Sequence, residues 1–250
     1  NTNMMSNTVS RGGGAIYNGA EMVLVNSALV HNVSTEDGGG IENIDGSLTV
    51  IDSTISHNVA GNEPDDKTTG GGLCNLALSA NATVVLSNSV IMSNTLVEGI
   101  GGGGIGNHAS VNTYATLTLN DCLLQGNVSG GGNYTLGFGG GIKNGGNSGV
   151  SGSGVAVGMV TLNNSTVRGN QAVNGGGIGN GALNVVIPEM MMVTLNNSTV
   201  SDNSAAVSAG GFITQTGNGG GVFNVNAALS VVNSTISGNH AQGQPIPTTP

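Results

Sequence analysis

The chain has 250 residues, of which 46 are Gly, and its formal net charge is −9. Only 7% of its residues are charged, which excludes a coiled coil or helical bundle, and 37% hydrophobic residues argue against intrinsic disorder. Four basic residues against 13 acidic ones cannot neutralise a phosphate backbone, so we expect no nucleic-acid partner. No run of 18 apolar residues occurs, and we expect no membrane span in this segment.

Two motifs alternate along the chain from its start. The first, Gly-Gly-Gly-aliphatic-x-Asn, begins as a variant at 13–18 and then ends at Asn43, Asn75, Asn107, Asn144, Asn180 and Asn224. The second is a block of 11 residues, MVLVNSALVHN in its first copy, which begins at Met22, Leu48, Val84, Leu117, Val160, Val193 and Leu229. Internal repeats of this length are typical of solenoids, in which stacked units share one core.

The block predicts two short strands joined by a tight turn. Apolar residues at positions 1 and 3 alternate with Thr, Val or Ser, which indicates a strand with one buried face. Asn or Asp at position 5 predicts the turn, because these residues tolerate a left-handed backbone, and position 8 lies in the second strand. The Gly-rich motif adds a third strand. We therefore predict an all-β chain: a single right-handed parallel β-helix of about seven three-sided coils over residues 1–240, with no helical domain, and a Pro-rich tail over 241–250.

The repeats also predict which side chains lie inside. Positions 3 and 8 form two aliphatic ladders, to which Leu162 and Val167 belong, whereas Thr161 at position 2 points outward. Position 11 is always Asn, and we expect these side chains to hydrogen-bond from coil to coil along one corner. The members of this corner Asn ladder are Asn32, Asn58, Asn94, Asn127, Asn170, Asn203 and Asn239.

Variation in length is confined to two corners of the predicted coil. The connections after position 11 are long at 59–69 and 204–218, and those after the Gly-rich motif are long at 145–159 and 181–192. The corner at positions 5 and 6 never varies. We therefore expect one rigid edge and two edges with surface loops, where function is commonly located.

The repeats resemble those of polymorphic outer-membrane proteins. The motif at 13–16, Gly-Gly-Ala-Ile, and block ends such as Ile55-Ser56-His57-Asn58 match repeats that pair Gly-Gly-Ala-Ile with Phe-x-x-Asn, although Leu, Ile or Val stands here in place of Phe. The chain is also similar to bacterial surface proteins with right-handed parallel β-helices, including autotransporter passengers. The resemblance covers residues 1–240 and implies an extracellular or cell-surface role in structure or adhesion, without a shared catalytic residue.

An enzyme on the same scaffold remains the alternative: a carbohydrate-active enzyme or a carbohydrate-binding module. Such a site needs clustered carboxylates, often together with an Arg or Lys side chain that binds an acidic sugar. Asp52 and Asp121 occupy the corner position 5 and are interpreted as turn residues. The basic residues fall in separate repeats: Arg11, Lys67, Lys143 and Arg168. We therefore predict no catalytic residue and no cofactor.

Two groups of residues suggest metal ions. Glu63, Asp65 and Asp66 lie in one long loop, where a solvated loop is one interpretation and weak Ca²⁺ binding the other. His31 and His57 both occupy position 10 in adjacent coils and should stack. They form either an exposed ladder or a metal- or pH-sensitive pair, and no third ligand is evident. We predict no metal site from either group.

Both ends of the predicted solenoid lack a recognisable cap. Residues 1–7 align with positions 5–11 of the block, and the tail has three prolines, which a central strand does not accept. We therefore hypothesise a homo-oligomer in which copies stack end to end into a fibre. The alternative is a longer chain whose remainder supplies the cap, and an extracellular glycan is a further candidate partner. The expected interface comprises Asn1, Thr2, Asn3, Met4, Met5, Pro245, Ile246, Pro247 and Pro250.

Overall fold

A computed structural model describes residues 2–61, 68–130, 137–146, 154–181, 189–206 and 217–242. The acidic loop at 62–67 and the interface residues Asn1, Pro245, Ile246, Pro247 and Pro250 lie outside the described residues. The described part contains strands and turns, and its strands are paired in parallel within four sheets, A to D. The chain visits these sheets in the repeating order A, B, C, D.

The strands are numbered along the chain. Sheet A consists of β1 (Asn3–Met5), β5 (Ala28–Val30), β9 (Thr54–Ser56), β13 (Val90–Met92), β17 (Leu123–Gln125), β21 (Thr166–Arg168), β25 (Thr199–Ser201) and β29 (Thr235–Ser237). Sheet B consists of β2 (Thr8–Val9), β6 (Val33–Ser34), β10 (Val59–Ala60), β14 (Thr95–Leu96), β18 (Val128–Ser129), β22 (Gln171–Ala172), β26 (Ser204–Ala206) and β30 (His240–Gln242).

The strands of the other two sheets come from the Gly-rich motif (sheet C) and from the start of the 11-residue block (sheet D). Sheet C consists of β3 (Ile16–Asn18), β7 (Ile41–Ile44), β11 (Leu73–Ala77), β15 (Ile105–Ala109), β19 (Ile142–Gly146), β23 (Ile178–Asn180) and β27 (Val222–Asn224). Sheet D consists of β4 (Glu21–Val25), β8 (Ser47–Ile51), β12 (Ala82–Ser87), β16 (Tyr114–Asn120), β20 (Ala156–Asn163), β24 (Glu189–Asn196) and β28 (Ala228–Val232).

The all-β parallel solenoid is therefore confirmed, but its coils have four strands where the sequence predicted three. The additional strand is that of sheet B, which directly follows the Asn at position 11 and which we had assigned to the variable connection. Most strands of sheet B are only two residues long, as in β6 and β10. Two residues cannot display an alternation of apolar and polar side chains, so the sequence pattern could not reveal them.

Two of the predicted loops are partly strand. The segments 145–159 and 181–192 were expected to be loops, yet β20 begins at Ala156 and β24 at Glu189. The alternation of sheet D simply extends backward, with small residues facing inward. Ala156 is fully buried and, together with Ala82, Ala115 and Met191, belongs to a second core cluster beside the main aliphatic core.

The inward ladders follow the predicted register. Leu162 pairs with Leu195 in sheet D, Val167 pairs with Val200 in sheet A, and all four side chains are buried. Thr161 lies between buried neighbours and is half-buried on the outer face, as expected. The backbone at position 5 is left-handed throughout, with φ between 48° and 53° from Asn26 to Asn233. At the far end, β30 runs to Gln242, two residues past the predicted end of the solenoid at residue 240.

Candidate functional site

The position-11 asparagines form a continuous hydrogen-bonded ladder between sheets A and B. The Nδ2 of Asn58 donates to Oδ1 of Asn94 at 3.0 Å, and the same oxygen accepts from the backbone N–H of Asn58. Nδ2 also donates to the carbonyl of Leu29, so each amide ties together neighbouring coils. The ladder runs from Asn7 to Asn239, and its members Asn32, Asn58, Asn94, Asn127, Asn170 and Asn203 are fully buried.

A second asparagine ladder lines sheet C and consists of the asparagines that end the Gly-rich motifs, whose stacking was not predicted. Asn43 Nδ2 donates to Oδ1 of Asn75 at 2.8 Å, and Asn75 donates in the same way to Asn107. The ladder extends from Asn18 to Asn224. Both ladders satisfy backbone and amide groups inside the rod, so they are a structural framework for whatever surfaces it presents.

Three of the predicted interface residues, Asn3, Met4 and Met5, form β1, the first strand of sheet A. Strand β1 pairs with β5 in the register Asn3 with Ala28, Met4 with Leu29 and Met5 with Val30, which confirms their alignment with positions 7–9 of the block. Met5 is 55% exposed, whereas Met4 packs partly buried against the core. Their role in an interface stays a prediction.

At the opposite end of the stack, the last coil exposes positions that are core elsewhere. Ile236 is 47% exposed, whereas the other members of its ladder are at most 1% exposed: Leu29, Ile55, Ile91, Leu124, Val167 and Val200. Val231 is likewise 45% exposed in sheet D. Both side chains lie on terminal strands of their sheets, β29 and β28, so no further described strand covers them.

An apolar patch also lies on the outer face of sheet D, where its strands are longest. We call it the methionine patch and define it as Tyr114, Val157, Met159, Met190 and Met192. Met190 is 65% exposed, and the strand register places it beside Val157, which lies beside Tyr114. The methionine patch was not among the predicted surfaces. The signal was available in the run of methionines at 190–192, because period-two alternation places two of the three on the outside.

A cavity of about 390 Å³ adjoins the methionine patch. It lies where β24 projects beyond β28, because pairing between these strands begins only at Met192 and Ala228. Its lining includes Met190, Met191 and the turn residues Asn226 and Ala227. Methionine side chains adapt their shape to different apolar surfaces, so this region suits hydrophobic contact rather than proton transfer.

The outer face of sheet C carries a row of buried polar side chains. The register aligns Glu42, Cys74, Gly106 and Lys143 in successive coils, and His108 lies two residues further along β15. Glu42, Cys74, His108 and Lys143 are between 0% and 6% exposed. These four residues occupy outward positions of sheet C, and their burial was not predicted from the sequence.

A narrow ladder of single bridges covers this face. It contains the residue before the Gly-rich motif in five successive coils, from Thr69 to Asn218, and Thr69 and Phe138 contact the polar row. Thr69 Oγ1 lies 3.0 Å from Cys74 Sγ, and the Phe138 ring lies 5.0 Å from Lys143 Nζ. The ammonium also donates to the carbonyls of Asn144 and Gly181. The polar row is therefore covered by its own chain.

Burial shifts the protonation of this row. Desolvation is the main cause that raises the pKa of Glu42 to about 8, and the negative charges of Asp37 and Glu36 add to it. Desolvation is also the main cause that lowers the pKa of His108 to about 3. The positive charge of Lys143 adds to this shift, and the Gly146 backbone opposes it. Neither imidazole nitrogen of His108 has a hydrogen bond of good geometry in the described part. Near neutral pH, Glu42 is thus largely protonated and His108 is neutral.

Of the candidate metal-binding residues, the two histidines lie within the described part of the chain. His31 and His57 are neighbours as expected, with ring centroids 5.0 Å apart, but the ring planes are tilted by 38°, and both side chains are exposed. Among the residues that the structure describes, no group of three or more His, Cys, Asp or Glu side chains is arranged to hold a metal ion. Cys74 and Cys122 are free and buried, and desolvation raises the pKa of both thiols.

Comparison with known protein families, characterised proteins and solved structures finds no match to this chain. Within the described ranges, no helix has the length and hydropathy needed to cross a bilayer.

Proposed function

We propose that this chain is a non-enzymatic extracellular or cell-surface protein with a structural or adhesive role, whose copies associate end to end. The repeat resemblance to bacterial surface proteins supports the location. We also infer a right-handed coil, because crossovers between parallel strands of one sheet are right-handed in about 98% of cases. A rigid rod joined at its ends into a fibre would carry exposed surfaces such as the methionine patch outward from a cell.

The shared register of β1 and β29 in sheet A is the observation that carries the association. The ladder that ends at Ile236 is buried from Leu29 to Val200, and the partly buried Met4 occupies the equivalent position 8 at the other end. If β1 of a second copy pairs with β29, Met4 lies over Ile236 and removes this apolar surface from water. The backbone groups at the open edge of β29 also gain hydrogen-bond partners.

The two ends of the rod are not equivalent in all four sheets. Sheets A and B each contain eight described strands, whereas sheets C and D contain seven. A second copy whose β1 and β2 follow β29 and β30 therefore leaves one strand position open in each of sheets C and D. In the proposed contact, sheets A and B therefore hold the two copies together. An experiment that tests the contact should target these two sheets.

Engineered disulfides test this joint. In the proposed contact, Met5 faces Ser237, because both occupy position 9 and adjacent strands are about 4.8 Å apart. That distance lies within disulfide range, so the variant Met5→Cys/Ser237→Cys should give a ladder of covalent oligomers on mild oxidation. The matched control Met5→Cys/Thr235→Cys places the cysteines two residues out of register and should give no ladder. Equal cross-linking of the two variants, or a monomer by light scattering at high concentration, would overturn the proposal.

One observation favours the alternative of a carbohydrate-active enzyme. Glu42, with its pKa near 8, lies near Asp37, and a protonated carboxyl beside an ionised one is the arrangement of a glycosidase acid–base pair. We rank it second, because Glu42 is only 6% exposed. Cleavage of acidic or neutral polysaccharides by the purified protein, abolished in Glu42→Gln, would establish it, and no cleavage across such a panel would exclude it for those substrates.

A further inference from the structure

Two exposed histidines are held side by side by the repeat itself. His31 and His57 occupy position 10 in adjacent coils, and their ring centroids are 5.0 Å apart with planes inclined at 38°. Their backbones share the left-handed conformation, with φ of 56° and 54°, and the N–H of His31 donates to the carbonyl of Ser56 at 3.2 Å. The two side chains therefore leave the rod from equivalent positions on a rigid corner.

The separation of the rings suits chelation of one metal ion. An imidazole nitrogen binds a first-row transition metal at about 2.0–2.1 Å. Two imidazoles on one ion at tetrahedral or square-planar angles then have centroids about 4.5–5.2 Å apart. The observed 5.0 Å falls within this range, so rotation of the rings could direct both lone pairs to one point without moving the backbone.

The chemistry of the site selects the ion. Imidazole is a ligand for Cu²⁺, Ni²⁺ and Zn²⁺, whereas Ca²⁺ and Mg²⁺ prefer oxygen. Position 10 in the flanking coils holds the small residues Ser6 and Ser93, which have the same left-handed backbone, and both histidines are exposed, so solvent can reach the metal-binding side. The net charge of −9 raises the concentration of cations near the protein.

We propose that His31 and His57 form an exposed two-histidine site for a divalent transition metal, preferentially Cu²⁺ or Ni²⁺. The rigid corner supplies the preorganisation that a flexible pair of histidines lacks, because neither backbone has to be ordered when the ion binds. This proposal concerns a different surface from the end-to-end joint and does not depend on it.

Titration of the whole chain with CuCl₂, followed by calorimetry and by electron paramagnetic resonance, tests the site. We expect one ion per chain with two nitrogen ligands. The variant His57→Gln should bind at least about ten-fold more weakly, since the chelate is lost. The control His240→Gln, which changes an exposed histidine in β30, should bind as the parent does.

A transposed pair separates chelation from incidental effects of substitution. The double variant His31→Ser/Ser93→His removes the first histidine and adds one in the coil after His57, where φ is 54°. If stacking in adjacent coils creates the site, this variant should recover the affinity of the parent. Affinity that stays at the level of His57→Gln, a single nitrogen ligand in the parent spectrum, or an equal loss in His240→Gln would overturn the proposal.

Discussion

Asn94 donates two hydrogen bonds to a single atom of Asn127, because both its backbone N–H and its side-chain Nδ2 lie 3.0 Å from Oδ1 of Asn127. Asn127 in turn donates from Nδ2 to the carbonyl of Ile91 and to Oδ1 of Asn170. One buried amide therefore joins three successive coils. Its groups have no access to water, so each lost partner leaves a buried polar atom unsatisfied.

The first prediction follows from this ladder. Asn127→Ala should lower the free energy of unfolding by at least about 3 kcal/mol, because several buried donors and acceptors lose their partners together. Asn163→Ala is the matched control on the outer face, where the amide is half-buried and water can replace it, and we expect a loss below about 1 kcal/mol. Urea unfolding measures both. Similar losses would show that the buried ladder contributes no more than an exposed one.

The second prediction tests the register of sheet D. Leu162→Asp should abolish cooperative folding, because it places an unpaired charge at a fully buried position. Thr161→Asp changes the adjacent outward position, and we expect a loss of about 1 kcal/mol or less. Thermal unfolding followed by circular dichroism distinguishes them. Comparable damage from both substitutions would contradict the register.

The third prediction concerns Glu42. The folded protein retains the proton of Glu42 up to pH about 8, whereas the unfolded chain releases it near the ordinary value of 4.5. The folded state therefore binds more protons between these values, and stability falls as pH rises, by at most about 1.4 kcal/mol per pH unit. Glu42→Gln should remove this dependence and stabilise the protein most at pH 8. Glu98→Gln serves as the control variant. If the stability of Glu42→Gln falls with pH as steeply as that of the parent, Glu42 is not the source of the dependence.

The fourth prediction concerns Asp45, which holds the turn of the next coil. Its carboxylate accepts from the backbone N–H of Leu78 at 2.7 Å, from those of Ser79 and Ala80, and from the Ser79 hydroxyl. Burial acts to raise the pKa of Asp45, but these hydrogen bonds outweigh it and lower the pKa below 3.8.

The contribution of Asp45 is present above the ordinary carboxyl pKa and is lost as pH falls through the lowered value. Asp45→Asn should therefore cost about 1 kcal/mol at pH 7 and less at pH 2, because the charge is progressively lost as pH falls below 3.8. Urea unfolding at the two pH values measures this, and Asp121→Asn at an exposed corner serves as the control. A cost that does not change with pH would contradict a role for the charge.

The fifth prediction tests the methionine patch. Hydrogen peroxide transfers one oxygen to a methionine sulfur and leaves water, and exposed sulfurs react first. Met190 is 65% and Met192 41% exposed, whereas Met191 between them is 2% exposed. Mass spectrometry of the oxidised protein should find sulfoxide at Met190 and Met192 well before Met191. Equal rates in the folded protein would show that β24 does not alternate as described.

Local rules were enough to predict the parts of the fold that repeat. The alternation at positions 1 to 3 placed Leu162 inside and Thr161 outside, and Asn or Asp at position 5 indicated the left-handed corner that the structure has. Each inference depends on side chains within a few residues of one another, where geometry is fixed by the backbone. The same rule, applied further back along sheet D, would have identified the outward methionines of β24.

The candidate surfaces were less accessible from the sequence. Sheet B was missed because two-residue strands such as β6 show no period, and Glu42 was not recognised as buried because it occupies an outward position. The stacking of His31 on His57 was predicted from their shared position, but the 5.0 Å separation that suits a metal ion needed coordinates.

The repeat, the core ladders and the chemistry of the corners could be predicted without coordinates, because they depend on contacts between equivalent positions and on local backbone preferences. Coordinates were needed to establish that a coil has four strands, that the bridge ladder through Thr69 and Phe138 covers Cys74 and Lys143, and that Ile236 is exposed while Val200 is not. The physical reason is that burial depends on what lies above a side chain. In this solenoid that neighbour belongs to another coil, 25 to 44 residues away along the chain.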